Sequence, residues 1–258
     1  MRLSPEDVQE LRAAKNILEN PGVAAKLTNL LGTPIEKGFA LLPRDWQEKV
    51  SEVTQKALML GLQGALFTIG SNANAAFPHW HKLAAALSGV IGGAFGLPAL
   101  VVELPVSTTI MLRSIAAIGQ SNGEVLSTPE SRIACLEVFA LGGPFGHEDS
   151  SESGYFAIRG ALAGAITEAS RYLAEKTLAE KGSPALVRFI AAIAARFQVQ
   201  VSQKTAAMAI PVIGAIGGGG INLLFINHFQ DVSRGHFVVR KLERKYDETL
   251  VRETYESL

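Results

Sequence analysis

Cysteine is almost absent from this chain, with Cys135 standing alone among 258 residues. One thiol can form neither an intramolecular disulfide nor a cysteine zinc site, which excludes a secreted disulfide framework and a zinc finger and fits a reducing compartment. Excess charge of either sign is missing too: Lys plus Arg and Asp plus Glu both number 24, so the formal net charge is zero. No overall field favours nucleic acid, and no nucleic-acid partner is expected. Charged residues reach only 19%, below the usual share of about 25%. Hydrophobic residues make up 48% and the mean hydropathy is +0.21, so the chain is not intrinsically disordered and either buries much of itself or meets a membrane.

Local catalytic and nucleotide-binding fingerprints are also missing. Gly217 to Gly220 has neither a following Gly-Lys-Ser/Thr nor a preceding strand, so both phosphate-cradling motifs fail and close packing is the better reading. No Gly-x-Ser-x-Gly occurs. His147-Glu148-Asp149 offers three ligand types, but Ser151 stands where HExxH needs its second histidine, so the segment reads as solvated loop and no metal or cofactor is expected. The amino terminus turns acidic at Glu6 before any apolar stretch begins, which is not the layout of a cleaved signal peptide and points away from export. No fixed-period repeat is present.

What the sequence does contain is helix punctuation. Ser4-Pro5-Glu6-Asp7 combines a serine cap, a proline where its missing N–H is harmless, and carboxylates at the positive end of the helix dipole. That helix is predicted to run to Asn20. Further helices are predicted over 23–31, 35–41, 44–70, 79–95, 98–121, 133–141, 152–181 and 185–209, with a last one carrying Phe225, Phe229, Val232, Val239, Leu242 and Tyr246 as an apolar stripe. No strand-like alternation bounded by turns is found. The fold expected is all-α, a bundle of about eight to ten helices with glycine-rich apolar hairpins, and one domain overall: an N-terminal helical segment (1–56), a core (57–246) and a tail (247–258).

Leu83 to Val102 is a run of twenty residues without a charge, long enough to cross a bilayer were it one helix, and Gly96-Leu97-Pro98 predicts a tight turn within it. Glu103 and Arg113 follow in an otherwise apolar helix, and ionisable groups there need partners. Glu103, Ser107, Ile110, Ser114 and Ser121 fall in one sector of that helix, with Thr109, Arg113 and Gln120 beside them. Ten residues separate Glu103 from Arg113, about 15 Å along the axis, so their partners are sought elsewhere, with Glu137, Arg159 and Glu168 as candidates. Tyr155 and Arg159 sit four apart, where the ring can stack on the guanidinium or both can address an anion. His236 reads as a satisfied packing histidine, and Cys135 as a small buried hydrophobe.

The stretches Glu103-Leu104-Pro105-Val106-Ser107-Thr108-Thr109, Cys135-Leu136-Glu137-Val138-Phe139-Ala140-Leu141-Gly142-Gly143, Gly154-Tyr155-Phe156-Ala157-Ile158-Arg159 and His236-Phe237-Val238-Val239-Arg240-Lys241-Leu242-Glu243 resemble the EcsC protein family, over roughly residues 57 to 246. The resemblance implies a bacterial-type protein, with a founding member encoded beside an ABC-type transporter. It brings no assigned reaction and no agreed catalytic residues.

Three functional classes therefore stay open. The leading expectation is a membrane-associated helical protein at the cytoplasmic face, binding lipid or a membrane protein partner, which the family resemblance would make an ABC-type transporter. Its support is that Arg44, Lys49 and Lys56, and Arg234, Arg240, Lys241, Arg244 and Lys245, flank the apolar stretches. The alternatives are a soluble helical enzyme, hydrolase-like, using Glu103, Glu137 and Arg113, and a scaffold that buries its glycine-rich faces in a homo-oligomer. Whether it is an enzyme is left open, because no catalytic motif is recognised. Ligand-binding candidates are Glu103, Ser107, Thr109, Arg113, Tyr155 and Arg159.

Overall fold

The Ser4 hydroxyl accepts from the Asp7 N–H at 3.2 Å, and Pro5 opens α1 (Pro5–Leu18). The computed structural model describes residues 2–19, 22–32, 34–68, 96–143, 154–175, 183–210 and 217–258. Gly22 and a left-handed Gly32 (φ 60°) bound α2 (Val23–Leu31), and α3 (Glu36–Phe39) is a single turn. Two long helices follow, α4 (Trp46–Thr68) and α5 (Gly96–Ser121). Gly123, at φ 83°, turns the chain after α5, and Thr128 caps α6 (Pro129–Leu141) through the Ser131 N–H. Then come α7 (Gly154–Glu175), α8 (Pro184–Ala209), α9 (Gly217–Lys245) and α10 (Glu248–Ser257). No strand occurs among the described residues, so the all-α expectation holds.

The buried side chains form one cluster that takes residues from every helix except the single-turn α3. At its centre Phe139 (α6), Phe197 (α8), Phe225 and Phe229 (α9) stack with centroids 4.8 to 6.0 Å apart. That is the spacing aromatic edges and faces prefer. The stripe predicted on the last helix lies inside: Phe225, Phe229, Val239 and Leu242 are fully buried, Val232 nearly so, and Tyr246 is half-buried. α8 packs against α2, α3, α4, α6 and α7, and α9 against α1 and α5. Glycine sets the closest approach: a Cβ on Gly38 would fall 1.9 Å from the Ala206 carbonyl oxygen, so α3 meets the backbone of α8 directly.

Some predicted boundaries shift. α5 is already helical at Gly96, with Pro98 in its first turn, where a missing N–H is harmless, so no turn separates Gly96-Leu97-Pro98 from the helix. The glycine cluster 217–220 is the first turn of α9. Residues 247–258, set apart as a tail, carry a helix capped by Asp247 with Val251 and Tyr255 buried. The helix expected over 79–95 and the loop over 144–154, His147 to Asp149 included, lie outside the described residues apart from Gly154.

Candidate functional site

Two buried polar clusters divide the residues singled out in the sequence. The first joins α5, α8 and α9. Lys204 Nζ donates to both carboxylate oxygens of Glu103, at 2.8 and 2.9 Å, and to Asn222 Oδ1 at 2.9 Å, and it lies 4.9 Å above the Phe225 ring. Lys204 is 1% exposed and Glu103 5%, so this ion pair is almost wholly removed from water and depends on geometry to offset desolvation. The partners proposed from sequence are thereby corrected: Glu103 pairs with Lys204, and Glu168 pairs with Arg188 at the surface, 2.6 Å away. Proximity along the helix could not reveal Lys204, 101 residues distant. Ser107 and Thr109 direct their hydroxyls to backbone carbonyls of Leu104 and Pro105, at 3.2 and 2.8 Å, which occupies them within α5. Arg113 is half-buried further along the same helix.

The second cluster lies between α6, α7 and α9. Arg159 forms a two-pronged pair with Glu243, at 2.5 and 3.2 Å, and its guanidinium lies 5.5 Å from the Tyr155 ring centre. The four-residue spacing therefore does bring ring and guanidinium together. Tyr155 is fully buried. Its hydroxyl lies 3.0 Å from His236 Nδ1 and 3.5 Å from Arg159 Nη1. With the guanidinium donating to it, the phenol donates to Nδ1, which leaves the imidazole hydrogen on Nε2. Nε2 faces Glu137 Oε2 across 3.8 Å, and Arg159 Nε faces Glu137 Oε1 across 3.9 Å. Both gaps exceed hydrogen-bond length, so Glu137 Oε1 and His236 Nε2 are buried without a hydrogen bond.

His236 is thus satisfied on one nitrogen only, a correction to its reading as a satisfied packing residue. Burial raises the Glu137 carboxyl above its ordinary range, against the pull of Arg159 and Arg240. Burial, with Arg240 and Arg159 nearby, holds His236 well below the ordinary histidine value. Both groups are therefore driven toward their neutral forms. Burial pushes the Cys135 thiol up to about 12, which agrees with an inert hydrophobe and not a nucleophile.

A third group, missed in the sequence, fixes the far end of α9. Glu124 accepts from Ser131 at 2.6 Å, from Arg240 at 2.9 and 3.2 Å, and from Arg244. Burial opposes its charge, but Arg240 and Ser131 outweigh that and hold the carboxyl below its ordinary value. Lys241 binds Glu10 and Lys245 binds Asp7. The basic run proposed as a membrane flank is therefore engaged in ion pairs, and Arg240 stands 18 residues along α9 from Asn222, about 27 Å from the apolar end. No group of three or more metal-ligating side chains occurs among the described residues.

No curated protein and no solved structure matches the chain. The sequence profile of the EcsC protein family matches residues 6–242, from the first turn of α1 almost to the end of α9. The match takes in the first fifty-odd residues that the sequence likeness left out, and with most of its length accounted for, the chain belongs to the EcsC protein family.

Proposed function

We propose that this protein is a membrane-associated helical protein at the cytoplasmic face, binding lipid through one end of its bundle. The observation that carries this reading is the surface of its two most apolar helices. Leu100–Ser121 and Pro184–Ala209 are long and apolar enough to cross a bilayer, yet only 44% and 39% of their most apolar windows are buried inside the protein. Here Val101 and Val102 on α5 and Leu223 on α9 stand exposed beside the buried Glu103–Lys204–Asn222 cluster, which gives that end of the bundle an apolar surface. In the sequence, residues 69–95 precede α5 and residues 211–216 precede α9, and Lys82 is the one charged residue in the two segments together. Glu103 and Lys204 neutralise each other within their buried pair, which lowers the cost of an apolar surrounding. A lone, buried thiol supports a reducing, cytoplasmic side.

The hydrolase-like alternative has less behind it. Its proposed carboxylates, Glu103 and Glu137, are 5% and 3% exposed, and Lys204 engages both oxygens of Glu103.

Flotation of the purified protein with phosphatidylethanolamine and phosphatidylglycerol vesicles tests the reading. Co-migration with vesicles at physiological and at high salt is the expected result, since apolar contact is not screened. Recovery wholly in the soluble fraction, both from vesicles and from carbonate-washed cell membranes, would refute it. Retention on cell membranes alone would replace lipid by a membrane protein as the partner.

A further inference from the structure

The last helix packs against the Tyr155 end of the Tyr155–His236–Glu137 cluster. α10 is ten residues long, and its buried residues are Val251 and Tyr255, one turn apart. The Tyr255 ring packs edge-on against Phe156, with centroids 5.2 Å apart, and lies 5.7 Å from Tyr155, whose own hydroxyl reaches His236. Lys15 clamps the cover from α1, donating to the Tyr255 carbonyl at 2.9 Å, and Arg252 lies 5.6 Å from the Phe156 ring centre.

Four features make this cover separable from the bundle. A helix this short is not stable alone, so its folding depends on the few contacts it makes. Its connection to α9 is Tyr246 and an extended Asp247 (φ −174°, ψ 144°), which caps α10 by accepting from the Thr249 N–H at 2.8 Å. Opening therefore turns on one short joint and breaks the Lys15–Tyr255 bond. An open surface groove of about 460 Å³, lined by Arg12, Lys15, Asn16, Glu19 and Leu258, lies where the residue after α10 meets α1. Finally, the family match ends at residue 242, before α10 begins.

The closed state leaves two polar atoms of the cluster unsatisfied. Glu137 Oε1 and His236 Nε2 are buried without hydrogen bonds, and buried polar atoms left unsatisfied favour any arrangement that lets water reach them. We propose that α10 is a lid over a latent polar site formed by Tyr155, His236 and Glu137, and that release of this helix, short of global unfolding, opens the site. The low-stability element of a fold is where such gating is found.

Two measurements decide it. In native-state hydrogen exchange of the full chain, the amides of α10 and the first turns of α7 exchange at least tenfold faster than those of α6. Equal protection of α10 and α6 would overturn the lid. In the second, diethyl pyrocarbonate labels histidines, with the modified residue identified by mass spectrometry. Val251→Asp, which weakens the cover from outside the cluster, raises His236 labelling at least tenfold while helical content falls by no more than the ten residues of α10. A folded Val251→Asp protein with unchanged His236 labelling would also overturn it. Should this variant not fold, the exchange pattern of the unmodified protein decides alone.

Discussion

Lys204 grips both carboxylate oxygens of Glu103, at 2.8 and 2.9 Å, and the pair ties α8 to α5 across the core. Removing one member strands the other charge in a place with almost no water. Lys204→Met is therefore expected to lose about 3–5 kcal/mol of stability, because an uncompensated buried charge is worse than no charge. Adding Glu103→Met restores most of the loss, since two apolar groups of similar volume carry no desolvation penalty. Urea denaturation of the two single variants and the double variant checks this. Additive losses in the double variant would mean that each residue acts separately.

His228 gives the fold a dependence on pH. One ring nitrogen lies 2.7 Å from the Gly142 carbonyl, and burial lowers the imidazole pKa from 6.5 to about 4. The unfolded chain binds a proton below pH 6.5 that the folded chain refuses until about pH 4. Stability from this residue is thus complete above pH 6.5 and is lost as pH falls toward 4, by about 3 kcal/mol. Buried His236 acts in the same direction and raised Glu137 in the opposite one, so the comparison must be made at a single residue. His228→Gln should flatten the fall in urea midpoint between pH 7 and pH 4.5 relative to wild type. An unchanged slope would show that His228 does not bind the linked proton.

Much of the helical order was legible because its signals are local. Gly22 and Gly32 bracket Val23–Leu31, and Thr128-Pro129 opens α6; in both, cap and breaker residues act through backbone conformation within a few positions. The clusters were legible only in part. Glu137, Tyr155 and Arg159 were all singled out, but what joins them is His236, 81 residues from Tyr155, and Glu243, 84 from Arg159. Such partners are fixed by packing between helices and leave no trace in local spacing. The last helix had a readable signal that went unused: Asp247 as a cap, then Val251 and Tyr255 four residues apart. The half-satisfied state of His236 has none, because a 3.8 Å gap in place of a hydrogen bond is decided by tenths of an ångström in packing.

Gly38 tests the close approach of α3 to α8. A Cβ there would meet the Ala206 carbonyl oxygen at 1.9 Å and its carbon at 2.5 Å. Those are backbone atoms of a long helix and cannot turn aside as a side-chain end can. Gly38→Ala is expected to lose about 1–3 kcal/mol, the range for overpacking, although alanine is the better helix former. Gly160→Ala on α7, where nothing lies within 4 Å of the new methyl, should instead be neutral or gain up to about 1 kcal/mol from helix propensity. Thermal melts of the two variants should move in opposite directions, or the second not at all. Equal destabilisation would place the effect in the helices themselves and not in the α3–α8 contact.

Val101 and Val102 separate lipid contact from folding. They are 46% and 60% exposed, while Leu100 and Leu104 on either side are buried, so the two valines contribute little to the core and present their methyl groups outward. A valine moved fully from water into an apolar medium contributes about 1.5 kcal/mol or more. Replacing both with lysine removes that gain and adds charges that lipid disfavours. The double variant Val101→Lys/Val102→Lys should keep the wild-type melting temperature within a few degrees and bind neutral vesicles at least tenfold more weakly. Anionic vesicles recover part of the loss at low salt, where the new charges attract lipid headgroups, and the recovery disappears as salt is raised. Undiminished binding to neutral vesicles would remove this end of α5 from the membrane surface and leave α8, with Val187 and Val199 exposed, as the face to examine next.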